Sequence, residues 1–238
     1  MNAVSLAEVL VRPDVWRGAA ATAGVPVVRS GFAPLDAELP GGGWARGGLS
    51  ELLCAGSGIG ECSLLLPALA SVQAEGRWVV LIAPPQVVYA PAWAERLDLA
   101  RLLVVAPETQ RDRVWAAEQS LSSGAPGAVL CWAPQVESTA VRRLQVAAAT
   151  GGALGFLFRP ESAGREPSAA PLRLQLGATP EGRLAVRMLK RRGPPCAETL
   201  LLDMSSRLMR SVAHESADLA GVAPAGAGAR GLAVVSVA

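Results

Sequence analysis

From Leu49 onward the chain alternates short, unbroken apolar runs with stretches of helical pattern, and this alternation constrains the fold more than any other feature. Apolar runs without a polar residue at every second position suit strands that are covered on both faces. They predict strands at 49–54, 77–82, 102–106, 127–132 and 154–158, separated by helices at 62–74, 90–97, 109–122 and 138–150. The last helix places Val141, Leu144 and Ala148 on one side, with Arg142, Arg143 and Gln145 away from it. Repeated βα units imply a parallel sheet with right-handed crossovers. After residue 158 the texture changes. Arg159 to Ser168 has the composition of a mobile loop. Runs at 172–177 and 183–189 read as strands joined by a hairpin turn at 178–182, with a further strand at 198–202.

The 238 residues, 51% apolar and 18% charged, suffice for one large domain with a real core. Three parts are predicted: 1–26, an N-terminal helix and linker; 27–203, the core; and 204–238, a C-terminal helix and flexible tail. Ser5-Leu-Ala-Glu8 is a capping box that would start the first helix. Residues 205–216 carry an apolar face of Leu208, Met209 and Val212. Leu232 to Ala238 reads as an apolar tip on a loose tether.

Between the first strand and helix lies a glycine-rich loop, the local plan of a phosphate-binding P-loop. Such a loop cradles phosphate with backbone N–H groups, neutralises it with Lys and holds Mg²⁺ through Ser or Thr. Here the frame reads Ala55, Gly56, Gly58, Gly60, then Glu61 where the Lys belongs and Cys62 where the hydroxyl belongs, followed by Ser63. A carboxylate beside a triphosphate is repulsive by roughly 4 kcal/mol per like charge at about 4 Å and an effective dielectric near 20. The loop is therefore read as a P-loop in shape without its chemistry, binding no cofactor. Glu61 is expected as an exposed carboxylate favoured by the helix dipole.

Other chemistries are excluded on similar grounds. Cys54, Cys62, Cys131 and Cys196 have no metal-like spacing, so no metal is expected, and Cys54 and Cys131 read as buried small hydrophobes. His214 is the sole histidine and lies in the terminal segment, a poor place for a catalytic triad. A net charge of +2 does not announce nucleic acid. No signal peptide opens the chain and no apolar run is long enough for a membrane helix, so a cytoplasmic protein with reduced thiols is expected.

Several motifs resemble RecA-type recombinases in their order and spacing. Ser30-Gly-Phe-Ala-Pro-Leu-Asp36, Leu39-Pro-Gly-Gly-Gly43, Arg46-Gly-Gly-Leu49 and Glu51 resemble the approach to the RecA P-loop. Leu97 to Leu103, Ser123 to Cys131, and Leu189-Lys-Arg-Arg-Gly-Pro-Pro195 resemble later RecA segments. The resemblance implies a RecA-like three-layer core with a mainly parallel sheet and an antiparallel C-terminal hairpin. It also locates the losses. The Walker B Asp falls on Trp132, and the carboxylate that would activate water falls near Pro84-Pro85. With phosphate clamp, metal holder and water-positioning group all missing, ATP hydrolysis is not expected.

Within that group the chain resembles the ImuA family of accessory proteins in SOS translesion mutagenesis, through Leu35 to Trp44 and Trp115-Ala-Ala-Glu-Gln119. That resemblance implies a non-catalytic adaptor with ImuB as partner, contact with RecA, and an error-prone replicative-type polymerase reached indirectly. Leu6, Val9 and Leu10 would dock on RecA or another copy, or pack on their own body, and Leu208, Met209 and Val212 would bind ImuB. Arg159 and Arg165 flank the loop that touches single-stranded DNA in RecA. Lys190, Arg191 and Arg192 form the densest basic cluster, a DNA or partner contact or else a solvated strand end. No aromatic lies in the loop to stack a base, so DNA contact would be weak and indifferent to sequence. Two alternatives stand beside this reading. One is a SulA-type cell-division inhibitor binding FtsZ, against which the glycine-rich Pro40–Gly43 run and the chain length weigh; the other is an ATPase with displaced residues.

Overall fold

A computed structural model of the protein describes residues 25–204 and 233–237. The expectations at Leu6, Val9, Leu10, Leu208, Met209, Val212 and His214 lie outside the described residues.

The apolar runs become strands with bounds within two residues of those expected. In chain order the strands are β1 (Val27–Val28), β2 (Trp44–Ala45), β3 (Leu49–Cys54), β4 (Trp78–Ile82), β5 (Leu102–Pro107), β6 (Pro126–Trp132), β7 (Leu154–Pro160), β8 (Leu172–Ala178), β9 (Leu184–Lys190), β10 (Thr199–Leu202) and β11 (Ala233–Val237). The helices are α1 (Ala33–Glu38), α2 (Glu61–Ala74), α3 (Ala90–Ala94), α4 (Gln110–Ser122) and α5 (Ser138–Gly151). The main sheet has nine strands in the order β10-β9-β8-β3-β7-β6-β4-β5-β11. Every pairing from β8 across to β11 is parallel, and the β8–β9 and β9–β10 pairings are antiparallel. The mixed sheet with a parallel body and an antiparallel hairpin therefore stands as expected.

Alternate strand residues feed two cores. Leu52, Val79, Leu81, Val104, Leu130 and Phe156 pack with Leu64, Leu65, Leu69 and Val72 of α2. Leu49, Val80, Ile82, Val105, Val129 and Leu157 pack on the other face with α4 and α5, through Val114, Leu121, Val141 and Leu144. Both faces being covered is what makes the central strands continuously apolar.

The Pro40–Gly43 run leads from α1 into β2, the second strand of a small two-stranded sheet. β1 pairs antiparallel with β2, and a Cβ on Gly43 would lie 2.5 Å from the Val28 carbonyl oxygen. Only glycine allows that approach. It seats Trp44, 1% exposed, edge-on to Phe156 at 5.2 Å. Asp36 is buried and accepts from the backbone N–H of Ser30 at 2.8 Å, fixing the chain before α1.

Two expectations about irregular segments are corrected. The 159–168 stretch, expected as a mobile loop, continues β7 to Pro160 and then forms a 3-10 turn at Glu161–Arg165. Buried guanidinium groups order it, as described below. The terminal segment, expected as a loose apolar tip, is β11 and pairs in parallel with β5 at the sheet edge.

Candidate glycine-loop and cavity site

The loop between β3 and α2 lies at the carboxyl end of the parallel strands, where α/β sheets place their sites. Gly60 precedes the helix with φ 98°, a left-handed conformation natural to glycine, and a Cβ there would lie 3.1 Å from Cγ of Met204. Gly58 is left-handed as well, at φ 81°. These turns bring the N–H groups of Gly58 and Ile59 together on one side of the loop. The groups they meet belong to the chain itself. The Glu61 carboxylate accepts from Gly58 N–H at 3.0 Å and from Ile59 N–H at 2.9 Å.

Glu61 is 6% exposed. The expected exposed carboxylate is therefore corrected to a buried one. The reason is physical: loop N–H groups turned to one side need an acceptor, and a carboxylate at the first helical position is within reach. Neighbouring thiols feel the result. Burial, and then the Glu61 charge, push both Cys54 and Cys62 up to about 12. Neither is a nucleophile near neutral pH. Of the other loop residues, Ala55, Gly56 and Ser57 line an adjacent cavity.

That cavity, about 820 Å³, opens where β3, β4, β5, β6 and β7 end. Trp132 and Phe158 stack face to face in its lining, with centroids 4.4 Å apart and planes within 4°. A hydrophobic ring pair thus occupies the strand end at which a metal-holding Asp was sought. Ala83 closes β4 at φ 52°, a conformation disfavoured for a residue with a Cβ, and leads into Pro84-Pro85. Beyond them Val87 is 95% and Tyr89 69% exposed, so an apolar rim stands beside the cavity. Sequence reasoning passed over this rim; the signal was Val87-Val88-Tyr89, an apolar triplet just after two turn-forming prolines. Among the described residues no group of three or more His, Cys, Asp and Glu could hold a metal ion.

The basic residues singled out from sequence are not gathered into one surface. Arg159 is buried, and its Nη1 donates to Glu51 Oε1 at 2.7 Å while Nη2 donates to Glu166 Oε2 at 2.7 Å. Arg173 donates through Nε to the other Glu51 oxygen, through Nη1 to Glu166 O at 2.9 Å and through Nη2 to Ala163 O at 2.8 Å. Burial opposes the charge on Arg159, but its carboxylate partners outweigh that and its pKa is raised. This cluster clamps the 161–165 turn to β3, β7 and β8, so Arg159 cannot meet DNA. Lys190 Nζ donates to Ser168 O at 2.7 Å, and Arg191 binds Glu38 at 2.7 Å. Arg165 and Arg192 are exposed. Glu51, wholly buried between two arginines, stands out in the sequence only as part of the run that resembles the RecA P-loop approach, with nothing to mark its ion pairs.

Fold and site together define a mixed α/β protein whose glycine loop holds its own carboxylate. Comparison with known proteins gives a more particular answer. Residues 48–155 match the family model described as cell division inhibitor SulA. A cell division inhibitor SulA of Photorhabdus laumondii is 33% identical over 115 residues, covering 48% of this chain and 64% of the relative. One of Pectobacterium atrosepticum is 36% identical over 104 residues, covering 42% and 61%. One of Serratia proteamaculans is 29% identical over 127 residues, covering 52% and 75%. The chain thus spans 61–64% of the length of the first two relatives.

These likenesses overturn the expectation drawn from ImuA. The adaptor role in translesion synthesis, with ImuB, RecA, an error-prone polymerase and weak DNA contact, is replaced by likeness to SulA division inhibitors. Motifs such as Leu39 to Gly43 describe a scaffold, and a scaffold does not choose a partner.

Proposed function

We propose that this chain is a SulA-type cell-division inhibitor that acts by binding a protein, with the division protein FtsZ as its target. The observation that carries this reading is the match of residues 48–155, β3 through the start of β7, to the SulA family model. The site is consistent with it. Glu61 accepts from two of the loop's N–H groups and Trp132 stacks on Phe158, at the places where a P-loop ATPase would carry its Lys and its metal-holding Asp. In the same reading the core is RecA-like, the loop is a degenerate P-loop and the protein is not an enzyme. It works in the cytoplasm during the response to DNA damage; among the described residues no helix is long and apolar enough to cross a membrane.

The test is direct. Purified chain added to FtsZ should suppress GTP-driven assembly measured by light scattering, and its expression should turn dividing cells into filaments. Undisturbed assembly, with no association detected between the two proteins, would end the proposal.

A further inference from the structure

The outer edge of β5 is covered in an unusual way. β10 closes one side of the sheet and β11 the other, although they follow one another among the described strands. The 28 residues at 205–232 join them. At about 3.3–3.6 Å per residue that length can cross a sheet whose strands stand about 4.8 Å apart. β11 meets β5 along five register pairs, from Ala233 beside Leu103 to Val237 beside Pro107. The side chains of Ala233, Val234 and Val235 are exposed. Val234 and Val235 point to opposite faces and are 62% and 48% exposed. β5 itself is anchored, with Leu102 and Val104 in one core and Val105 in the other. A lightly packed strand therefore covers a firmly built edge, and a bare edge is a template for a strand from elsewhere.

We propose that the outer edge of β5 is a docking site for an extended, β-branched segment of a partner protein, added as a parallel strand, and that residues 233–237 occupy it in cis as a competitor. The resident strand, Ala-Val-Val-Ser-Val, states the chemistry: main-chain pairing along the edge with small side chains on both faces. The surroundings favour a protein over a small molecule. Val234 lines the cavity, and exposed Val87 and Tyr89 form a protruding apolar rim beside it, open surface of the kind that protein contacts use. Tethering places the competitor at an effective concentration on the order of millimolar, so a partner must bind the bare edge more tightly than that. The inference goes beyond the division-inhibitor reading and is tested without FtsZ.

The probe is a fluorescein-labelled Ala-Val-Val-Ser-Val peptide, flanked by lysines for solubility, added to three forms of the full chain. V234P/V235P weakens the resident strand, because N–H groups alternate sides along a strand and one of the two must face β5. V104C/V234C joins two register partners, so oxidation locks the strand in place. The peptide should bind V234P/V235P at least tenfold more tightly than the wild type. It should fail to bind oxidised V104C/V234C and regain binding on reduction, a reversal within one molecule that misfolding cannot imitate. Equal binding to the locked and reduced forms, or none to either, would overturn the proposal.

Discussion

The Glu61 carboxylate does two jobs at once: it satisfies the N–H groups of Gly58 and Ile59 and begins α2. Glu61→Ala removes the acceptor from both donors. A stability loss of about 1 kcal/mol is expected from denaturant unfolding: Gly58 is exposed and Ile59 half-buried, so water replaces part of what the carboxylate supplied, and a net hydrogen bond contributes about 0.5–1.5 kcal/mol. The nearby thiols make a second prediction. Cys54 and Cys62 rise from 9.0 to about 12 on folding, as does Cys131, where burial dominates. The neutral thiol is thus favoured in the folded state. Its contribution is complete below pH 9 and disappears as pH climbs from 9 towards 12. Melting temperature should fall across that window, and a thiol reagent at pH 8 should modify these three cysteines far more slowly in native than in urea-unfolded protein.

At the level of elements, one buried carboxylate joins four pieces of structure. Glu51 on β3 binds Arg159 of β7 and Arg173 of β8, and those arginines hold the Glu161–Arg165 turn through Glu166 and Ala163. Glu51→Ala takes the shared carboxylate from two buried guanidinium groups, leaving Arg159 with Glu166 and Arg173 with backbone carbonyls. The expected cost is about 3–5 kcal/mol, on the order of 10 °C in Tm for a chain of this size. Calorimetry checks it, and the turn should gain protease sensitivity. The strands themselves were legible because parallel strands covered on both faces leave unbroken apolar runs, such as Val79 to Ile82. The clamp was not, because Glu51 meets partners 108 and 122 positions away, and local pattern carries no trace of such pairs. Composition misled at Arg159 to Ser168, where Pro, Gly and Ser suggested freedom but buried hydrogen bonds to Arg173 impose order. β11 escaped for the same reason as the clamp: its pairing with β5 joins segments far apart in sequence. Of the candidate site, the glycine-rich loop between strand and helix could be read from Gly56, Gly58 and Gly60, whereas the turn of the Glu61 carboxylate onto that loop required its backbone geometry.

For the molecule as a whole, on the proposed reading, the Glu61 carboxylate is set against the phosphates of any nucleotide that enters the glycine loop. Melting curves recorded with and without Mg²⁺-ATP at millimolar concentration should superimpose, because a ligand that binds the native state raises Tm by mass action. A shift of several degrees would reinstate the displaced-residue ATPase. A tethered anion is also never diluted, exported or consumed. On the proposed reading, a loop that carries its own anion is indifferent to how much nucleotide surrounds it.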